Sequence, residues 1–130
     1  FDAAIDAGAN FVVSPGQSDA LFERALLTNI PFLPGAVTAS EVMAAKEARL
    51  KVLKFFPAEQ AGGASYLKSL SSPLADMMFC PTGGITQQNK GDYLSLNNVF
   101  AVGGTWVARN DWVKNEDWQA VFHACQLAQH

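Results

Sequence analysis

The chain alternates between short, mostly apolar runs and longer segments in which apolar residues recur every three or four positions. The short runs predict strands, and the longer segments predict amphipathic helices. Two helix starts carry capping signals, which are Ser18 and the pair Thr38 and Glu41 with the spacing of a capping box. The predicted strands span 11–13, 30–33, 52–56, 77–80 and 99–102, and the predicted helices span 1–7, 17–29, 38–50, 64–70, 86–96 and 117–129, with a polar loop at 107–116.

The order of strand then helix repeats five times at intervals of roughly 22 residues, which is typical of a parallel α/β sheet. No strand shows the alternation of apolar and polar residues expected of a sheet with one face in water. We therefore expect both faces to be covered, either by two helix layers or by a helix layer and a closed barrel lumen. Five units are too few to close an eight-stranded barrel. The pattern predicts a single α/β domain over residues 1–130.

Lys54 is the charged residue inside the third predicted strand. Because strand side chains alternate between faces, Lys54 is expected on the same face as Val52 and Phe56. An ammonium group among apolar side chains loses hydration, which favours the neutral amine, and a neutral amine attacks carbonyl carbons. Lys54 is therefore a candidate nucleophile. The alternative is that its side chain reaches solvent at the strand end or pairs with Glu59.

Turns at the ends of the strands form a second group of candidates. The carboxyl ends of strands are where parallel α/β proteins bind ligands. The pair Gly83–Gly84 precedes a predicted helix, and Gly103–Gly104–Thr105 follows the last strand. Glycine-rich turns that lead into a helix expose backbone N–H groups and attract phosphate. Ordinary loop geometry explains either turn alone, but the two together favour a phosphate site.

Composition narrows the class of protein. A hydrophobic fraction of 49% and a net charge of −3, without any basic run, argue against a nucleic-acid-binding protein. No apolar stretch approaches the roughly 20 residues that cross a bilayer, and no export signal is visible, so we expect no membrane association and a cytoplasmic location. Cys80 and Cys125 lack metal-ligand spacing and predict buried free thiols. His123 and His130 do not indicate a metal site, and no cofactor is predicted.

Four segments together resemble the 2-keto-3-deoxy-6-phosphogluconate aldolase family, the class I aldolases that include 4-hydroxy-2-oxoglutarate aldolases. The segments are Ser14-Pro15-Gly16, Lys54-Phe55-Phe56-Pro57-Ala58-Glu59, Cys80-Pro81-Thr82-Gly83-Gly84-Ile85 and Val102-Gly103-Gly104-Thr105-Trp106. The resemblance implies a (β/α)8 TIM barrel of which residues 1–130 form the last five strand–helix units, with the first three strands preceding Phe1. It also implies a homotrimer in the Entner–Doudoroff pathway that binds a small keto acid and a phosphosugar and needs no cofactor.

The same resemblance implies individual roles for site residues. Lys54 corresponds to the Schiff-base lysine, in agreement with the candidate nucleophile inferred from the strand pattern. Thr82 corresponds to the threonine that holds the pyruvate carboxylate, while Phe56 and Pro15 correspond to residues that line the pyruvate pocket. The phosphate-binding positions correspond to Gly83, Gly84, Gly104 and Thr105, where the family more usually has serine in place of Thr105 and the hydroxyl is retained.

The implied reaction is retro-aldol cleavage of 2-keto-3-deoxy-6-phosphogluconate to pyruvate and glyceraldehyde 3-phosphate, with 4-hydroxy-2-oxoglutarate, which yields pyruvate and glyoxylate, as a further substrate. The family's general acid/base glutamate and a carboxylate-binding arginine lie on early strands, which the resemblance puts before Phe1. Glu59 does not correspond to that glutamate, and Glu23 and Glu41 lie on predicted helices.

Two alternatives to an active aldolase remain at this point. One is a phosphate-binding barrel isomerase or synthase that uses no imine. The other is that residues 1–130 alone are an inactive fragment, whose open sheet would expose apolar residues such as Val52 and Phe56.

Overall fold

Short parallel strands alternate with helices in the described part of the chain, which is residues 1–128 of the computed structural model. The predicted parallel α/β class is therefore confirmed. The predicted helix end at Gln129, and His130, lie outside the described residues. The strands are β1 (Val12–Val13), β2 (Phe32–Leu33), β3 (Gly35–Ala36), β4 (Val52–Phe55) and β5 (Met78–Pro81). The helices are α1 (Asp2–Asp6), α2 (Asp19–Leu27), α3 (Ala39–Glu47), α4 (Gly63–Leu70), α5 (Lys90–Leu94), α6 (Asn110–Lys114) and α7 (Trp118–Ala128), and Thr105–Val107 form a 3-10 turn.

The strands are arranged in two parallel sheets, β1–β2 and β3–β4–β5. The predicted second strand ends at Leu33 as expected, but a further strand, β3, follows directly after Pro34, and the two are separate because proline has no N–H for the ladder. The Pro34 carbonyl still accepts a hydrogen bond of 2.8 Å from the Lys54 N–H, which keeps this segment beside β4. In the three-stranded sheet, Gly35 pairs with Lys54, and Lys54 pairs with Cys80.

The predicted strand at 99–102 is wrong as a continuous strand. This segment makes two isolated parallel bridges, Phe79 with Val99 and Thr82 with Gly103. The N–H of Phe100 donates to the Phe79 carbonyl, and the next such bond runs from the Gly103 N–H to the Pro81 carbonyl. Three residue steps therefore face two steps on β5, so one extra residue interrupts the ladder as in a β-bulge.

The core side chains lie on one face of the three-stranded sheet, and the described residues cover the opposite face only in part. Leu53, Phe55 and Phe79 have 0% exposure and pack beneath the helices. On the opposite face Val52 is 40% exposed. Within residues 1–128 the expectation that both faces are covered is therefore met only in part, while the predicted exposure of Val52 is confirmed. Phe56 is only partly exposed, since the glycine turn after β5 lies against its ring.

Side-chain capping defines the start of α2 and of α3. Ser18 accepts a hydrogen bond of 3.4 Å from the Leu21 N–H, as predicted. Thr38 and Glu41 form the predicted capping box, in which the Glu41 N–H donates to Thr38 Oγ1 and the Thr38 N–H donates to Glu41 Oε2. These hydrogen bonds lower the pKa of Glu41, the one from the Thr38 backbone most of all. Helix α3 ends before the predicted boundary because Arg49 has a φ of 64°.

Three predictions for the C-terminal part are wrong. The helix at 86–96 is present only from Lys90, because Thr86 and Asn89 exchange side-chain hydrogen bonds that replace the first turn. The loop at 107–116 contains α6.

Cys125 is exposed and Cys80 only partly buried, so the thiols are not both in the core. Cys125 lies on α7, whose apolar residues Trp118 and Phe122 are also exposed, because nothing in residues 1–128 covers that face.

Across residues 1–128, the helices are all too short or too polar to traverse a lipid bilayer.

Candidate active site at the carboxyl ends of the strands

Lys54 lies on β4, between Gly35 on β3 and Cys80 on β5. Its side chain is on the sheet face opposite the core and is partly buried. The Nζ atom lies 4.5 Å from the centroid of the Phe56 ring. Within residues 1–128 the ammonium group makes no ion pair, and the carboxylate of Glu59 accepts a hydrogen bond from Tyr93 instead. The alternative of a Lys54–Glu59 pair is therefore wrong.

Pro15 lies against the sheet because Gly35 has no side chain. A Cβ atom at Gly35 would collide with the Pro15 carbonyl. Glycine at this position therefore allows the turn Ser14-Pro15-Gly16 to approach the strand that pairs with Lys54. The Pro15 ring itself is exposed.

One cleft of about 330 Å³ collects most of the predicted site residues. This volume falls within the range of small-molecule sites. Phe56 belongs to the cleft and also contacts the Lys54 amine, so its ring connects the candidate nucleophile to the cleft. Lys54 and Pro15 are not among the residues that line it. The lining residues are Phe56, Thr82, Gly83, Gly84, Ile85, Thr86, Gly104 and Thr105.

The backbone of the Gly83–Gly84 turn has a conformation that only glycine adopts without strain. The φ angles are 99° at Gly83 and 77° at Gly84. A Cβ atom at Gly83 would lie 3.2 Å from the Pro57 Cα and from the Phe56 ring. The N–H groups of Gly84 and Gly104 make no hydrogen bond within residues 1–128, so two backbone donors in the cleft are available to an anion.

The helix-start argument for the Gly83–Gly84 turn is wrong. Helix α5 begins at Lys90, six positions beyond Gly84, and a helix dipole acts only near the first turn. The turn therefore offers backbone N–H groups without the added field of an adjoining helix.

Thr82 is held in place by its own hydrogen bonds. Its N–H donates to the Phe55 carbonyl at 2.9 Å, and its hydroxyl donates to the Cys80 carbonyl at 3.3 Å. The neighbouring Cys80 thiol has a raised pKa, chiefly because of burial, although the nearby Thr82 hydroxyl and the charge of Lys54 act in the opposite direction. Cys80 therefore remains a neutral thiol beside the lysine at neutral pH.

Three residues that the sequence analysis did not assign support the Gly83–Gly84 turn from behind. Glu59 packs on Gly84, and buried Tyr93 donates its hydroxyl hydrogen to Glu59 Oε1. Asn89 donates from Nδ2 to the Gly84 carbonyl at 3.1 Å. Only the position of Glu59 inside the Lys54 segment could have drawn attention to it, since its partner lies 34 residues further along the chain.

No group of three His, Cys, Asp or Glu side chains that could hold a metal ion is found among residues 1–128.

Comparison with protein families assigns the chain. A family model described as "KDPG and KHG aldolase" matches residues 1–124. The chain belongs to this family. KDPG is 2-keto-3-deoxy-6-phosphogluconate and KHG is 4-hydroxy-2-oxoglutarate, so the resemblance seen in the sequence is confirmed.

Individual relatives agree with the family assignment. The chain is 47% identical over 121 residues to the 2-dehydro-3-deoxy-phosphogluconate aldolase of Pseudomonas aeruginosa, covering 93% of this chain and 55% of that protein. It therefore spans about half the length of the curated relatives that it matches.

Two solved structures have the same fold. The KDPG aldolase of Legionella pneumophila, with pyruvate captured as a covalent carbinolamine intermediate, superposes with a TM-score of 0.96 at 38% identity, covering 98% of this chain and 62% of that one. The Zymomonas mobilis enzyme with 3-phosphoglycerate superposes with a TM-score of 0.87 at 37% identity, covering 98% of this chain and 60% of that one.

Proposed function

We propose that the whole protein is a class I aldolase that forms an imine between Lys54 and a 2-keto acid. Its principal substrate is 2-keto-3-deoxy-6-phosphogluconate, which it cleaves to pyruvate and glyceraldehyde 3-phosphate, and 4-hydroxy-2-oxoglutarate is a second substrate. The observation that carries the proposal is a partly buried amine without an ion-pair partner in residues 1–128, whose Nζ lies 4.5 Å from a ring that also lines the cleft.

The reaction follows from the chemistry of that amine. Neutral Lys54 Nζ adds to the C2 ketone to give a carbinolamine, and loss of water with uptake of one proton gives the protonated imine. The imine accepts the electron pair of the C3–C4 bond as that bond breaks, which leaves the enamine of pyruvate and releases the aldehyde. Protonation of C3 and addition of water to the imine then release pyruvate and the free amine.

The cleft residues are assigned by the groups that they offer to the substrate. The Thr82 hydroxyl binds the pyruvate carboxylate in exchange for its hydrogen bond to the Cys80 carbonyl. Phe56 forms the apolar wall around the methyl end, and the family resemblance assigns Pro15, which does not line the cleft in residues 1–128, to the same wall. The backbone N–H groups of the two glycine turns and the Thr105 hydroxyl bind the phosphate. Phosphate-binding residues in this assignment are Gly83, Gly84, Gly104 and Thr105.

The proton on the C4 hydroxyl requires a base, and carboxylates are suited to that role. Glu59 is a poor candidate because its carboxylate is engaged by Tyr93 and packs behind Gly84. We assign the base to a glutamate outside residues 1–130, on an early strand of the barrel.

The finer architecture is part of the same proposal. Residues 1–130 form the last five strand–helix units of a (β/α)8 barrel, and the apolar face that carries Val52 becomes part of its lumen. The family resemblance also supports a homotrimer, a cytoplasmic location and a place in the Entner–Doudoroff pathway.

Borohydride trapping tests the imine directly. The whole protein is incubated with pyruvate and borohydride, and its peptides are mapped by mass spectrometry. We expect one reduced pyruvate adduct, on the peptide that contains Lys54. Lys54→Arg should abolish the adduct and turnover, because a guanidinium group stays protonated and is not nucleophilic. Lys51→Arg is the matched control, since Lys51 is exposed just before β4 and should keep both.

Each contrary result has a distinct meaning. An adduct on a different lysine would overturn the assignment of Lys54. Absence of any adduct in a protein that still processes a phosphorylated substrate would favour an isomerase or synthase of the same fold, which has no use for the Lys54 amine.

A further inference from the structure

The Gly83–Gly84 turn is fastened to the segment that follows β4. The Ala58 N–H donates to the Thr82 carbonyl at 2.9 Å, and the Glu59 N–H donates to the Gly83 carbonyl at 3.2 Å. The Glu59 side chain also covers the turn, because a Cβ atom at Gly84 would lie 2.5 Å from Glu59 Cγ. The aliphatic part of Glu59 therefore forms the back wall of the turn.

Tyr93 fixes the direction of that side chain. It lies on α5 with 1% exposure, and its hydroxyl donates to Glu59 Oε1. Burial raises the pKa of Tyr93, and the hydrogen bond to Glu59 raises it further, so the hydroxyl keeps its proton. A Cβ atom at Gly63 would lie 3.6 Å from the Tyr93 hydroxyl and 3.7 Å from Glu59 Oε1, so this glycine borders the pair closely.

We propose that Glu59 and Tyr93 are positioning residues that hold the Gly83–Gly84 turn in the shape that binds the substrate phosphate. The inference rests on the function proposed above. Two consecutive glycines have no side chains that could fix their own backbone, so an unsupported turn would lose conformational freedom on binding and weaken affinity. Glu59 acts from behind the turn, through its contact with Gly84, and does not touch the substrate.

Replacing Glu59 or Tyr93 should weaken binding of the phosphate end of the substrate and leave the reaction at the pyruvate end unchanged. Exchange of the pyruvate methyl protons with deuterated solvent needs the imine and the enamine but no phosphate. Cleavage of 2-keto-3-deoxy-6-phosphogluconate needs both ends of the cleft. Comparing the two reactions separates a positioning role from general destabilisation, which would lower both.

The first variant is Tyr93→Phe, which removes the hydroxyl and keeps the buried ring. We expect the KM for the phosphorylated substrate to rise about ten-fold, below the loss of about 100-fold that a 1 Å misplacement can cause. Pyruvate exchange should stay within about two-fold of wild type, because the amine and its ring contact are untouched. Tyr66→Phe is the matched control: Tyr66 stacks on Phe55, its hydroxyl makes no hydrogen bond within residues 1–128, and neither reaction should change.

Conservative replacement of the acceptor provides a second test. Glu59→Gln keeps an oxygen that accepts from Tyr93, so its KM should stay near the wild-type value. Glu59→Ala removes both the acceptor and the contact with Gly84 and should behave like Tyr93→Phe.

The results separate this inference from the aldolase proposal. An unchanged KM in Tyr93→Phe, or an equal loss of both reactions, would overturn the positioning role. The aldolase proposal would still stand in that case, provided that the wild-type protein exchanges the pyruvate protons. A wild-type protein that exchanges no pyruvate protons would overturn the aldolase function and the inference with it.

Discussion

Replacing Gly83 by alanine should damage the proposed phosphate site through the backbone. Gly83 has a φ of 99°, which is outside the small left-handed region that residues with a Cβ atom tolerate. A residue held at such an angle costs of order 1–3 kcal/mol. The added Cβ would also lie 3.2 Å from the Pro57 Cα, a backbone atom that cannot rotate away. We therefore expect Gly83→Ala to lower the free energy of unfolding by about 2–3 kcal/mol if the turn keeps its shape.

The turn can avoid that cost only by changing its shape, and a changed turn should raise the KM for the phosphorylated substrate. Urea unfolding of the whole protein measures the free energy of unfolding, and steady-state kinetics measures the KM for the phosphorylated substrate. Gly91→Ala is the matched control, because Gly91 lies in α5 and a Cβ there would meet no atom within 4 Å. That variant should be as stable as wild type or more stable by about 0.5–1 kcal/mol. Wild-type stability together with wild-type KM in Gly83→Ala would refute the reasoning.

Two further predictions concern the core and the pH dependence of stability. Leu53→Ala should reduce the free energy of unfolding by about 2–5 kcal/mol, because Leu53 has 0% exposure on the covered face of β4, and denaturant titration measures the loss. Glu41 has a lowered pKa in the folded protein, so its contribution to stability is present above its ordinary value of 4.5 and is lost as the pH falls through the folded value. The stability difference between wild type and Glu41→Gln should therefore shrink below about pH 4, and a difference that stays constant from pH 7 to pH 3 would contradict the capping-box assignment.

Local signals were sufficient to predict the elements that depend on local interactions. Ser18 and Thr38 cap helices through atoms three residues away, so their sequence spacing already contains the interaction. The parallel class followed from apolar strands at regular intervals. The early end of α3 and the late start of α5 were missed, because a single residue at positive φ and a side-chain exchange between Thr86 and Asn89 overrode the helix pattern.

Burial and long-range hydrogen bonds could not be predicted in the same way, because they depend on residues that are distant in the chain. Cys125 on α7 was predicted to be buried, yet it is exposed, as are Trp118 and Phe122, where no described residue covers them. The cleft brought together Phe56, Thr82 and both glycine turns as the family resemblance implied. The link between Glu59 and Tyr93 gave no sequence signal, since neither residue type nor spacing identifies a hydrogen bond across 34 positions.

The engagement of Glu59 by Tyr93 also bears on the chemistry of Lys54. A carboxylate beside an amine favours the ammonium form, which cannot attack a ketone. Glu59 is close to Lys54 in the chain, but it follows the turn at Pro57 and its carboxylate is bound to the hydroxyl of Tyr93. One hydrogen bond therefore supports the glycine turn and engages a carboxylate that makes no ion pair with Lys54 within residues 1–128. Glu59→Gln removes the charge but keeps an acceptor for Tyr93, whereas Glu59→Ala removes both the charge and the acceptor. A higher KM in Glu59→Ala alone would therefore assign the effect to support of the turn and not to the charge.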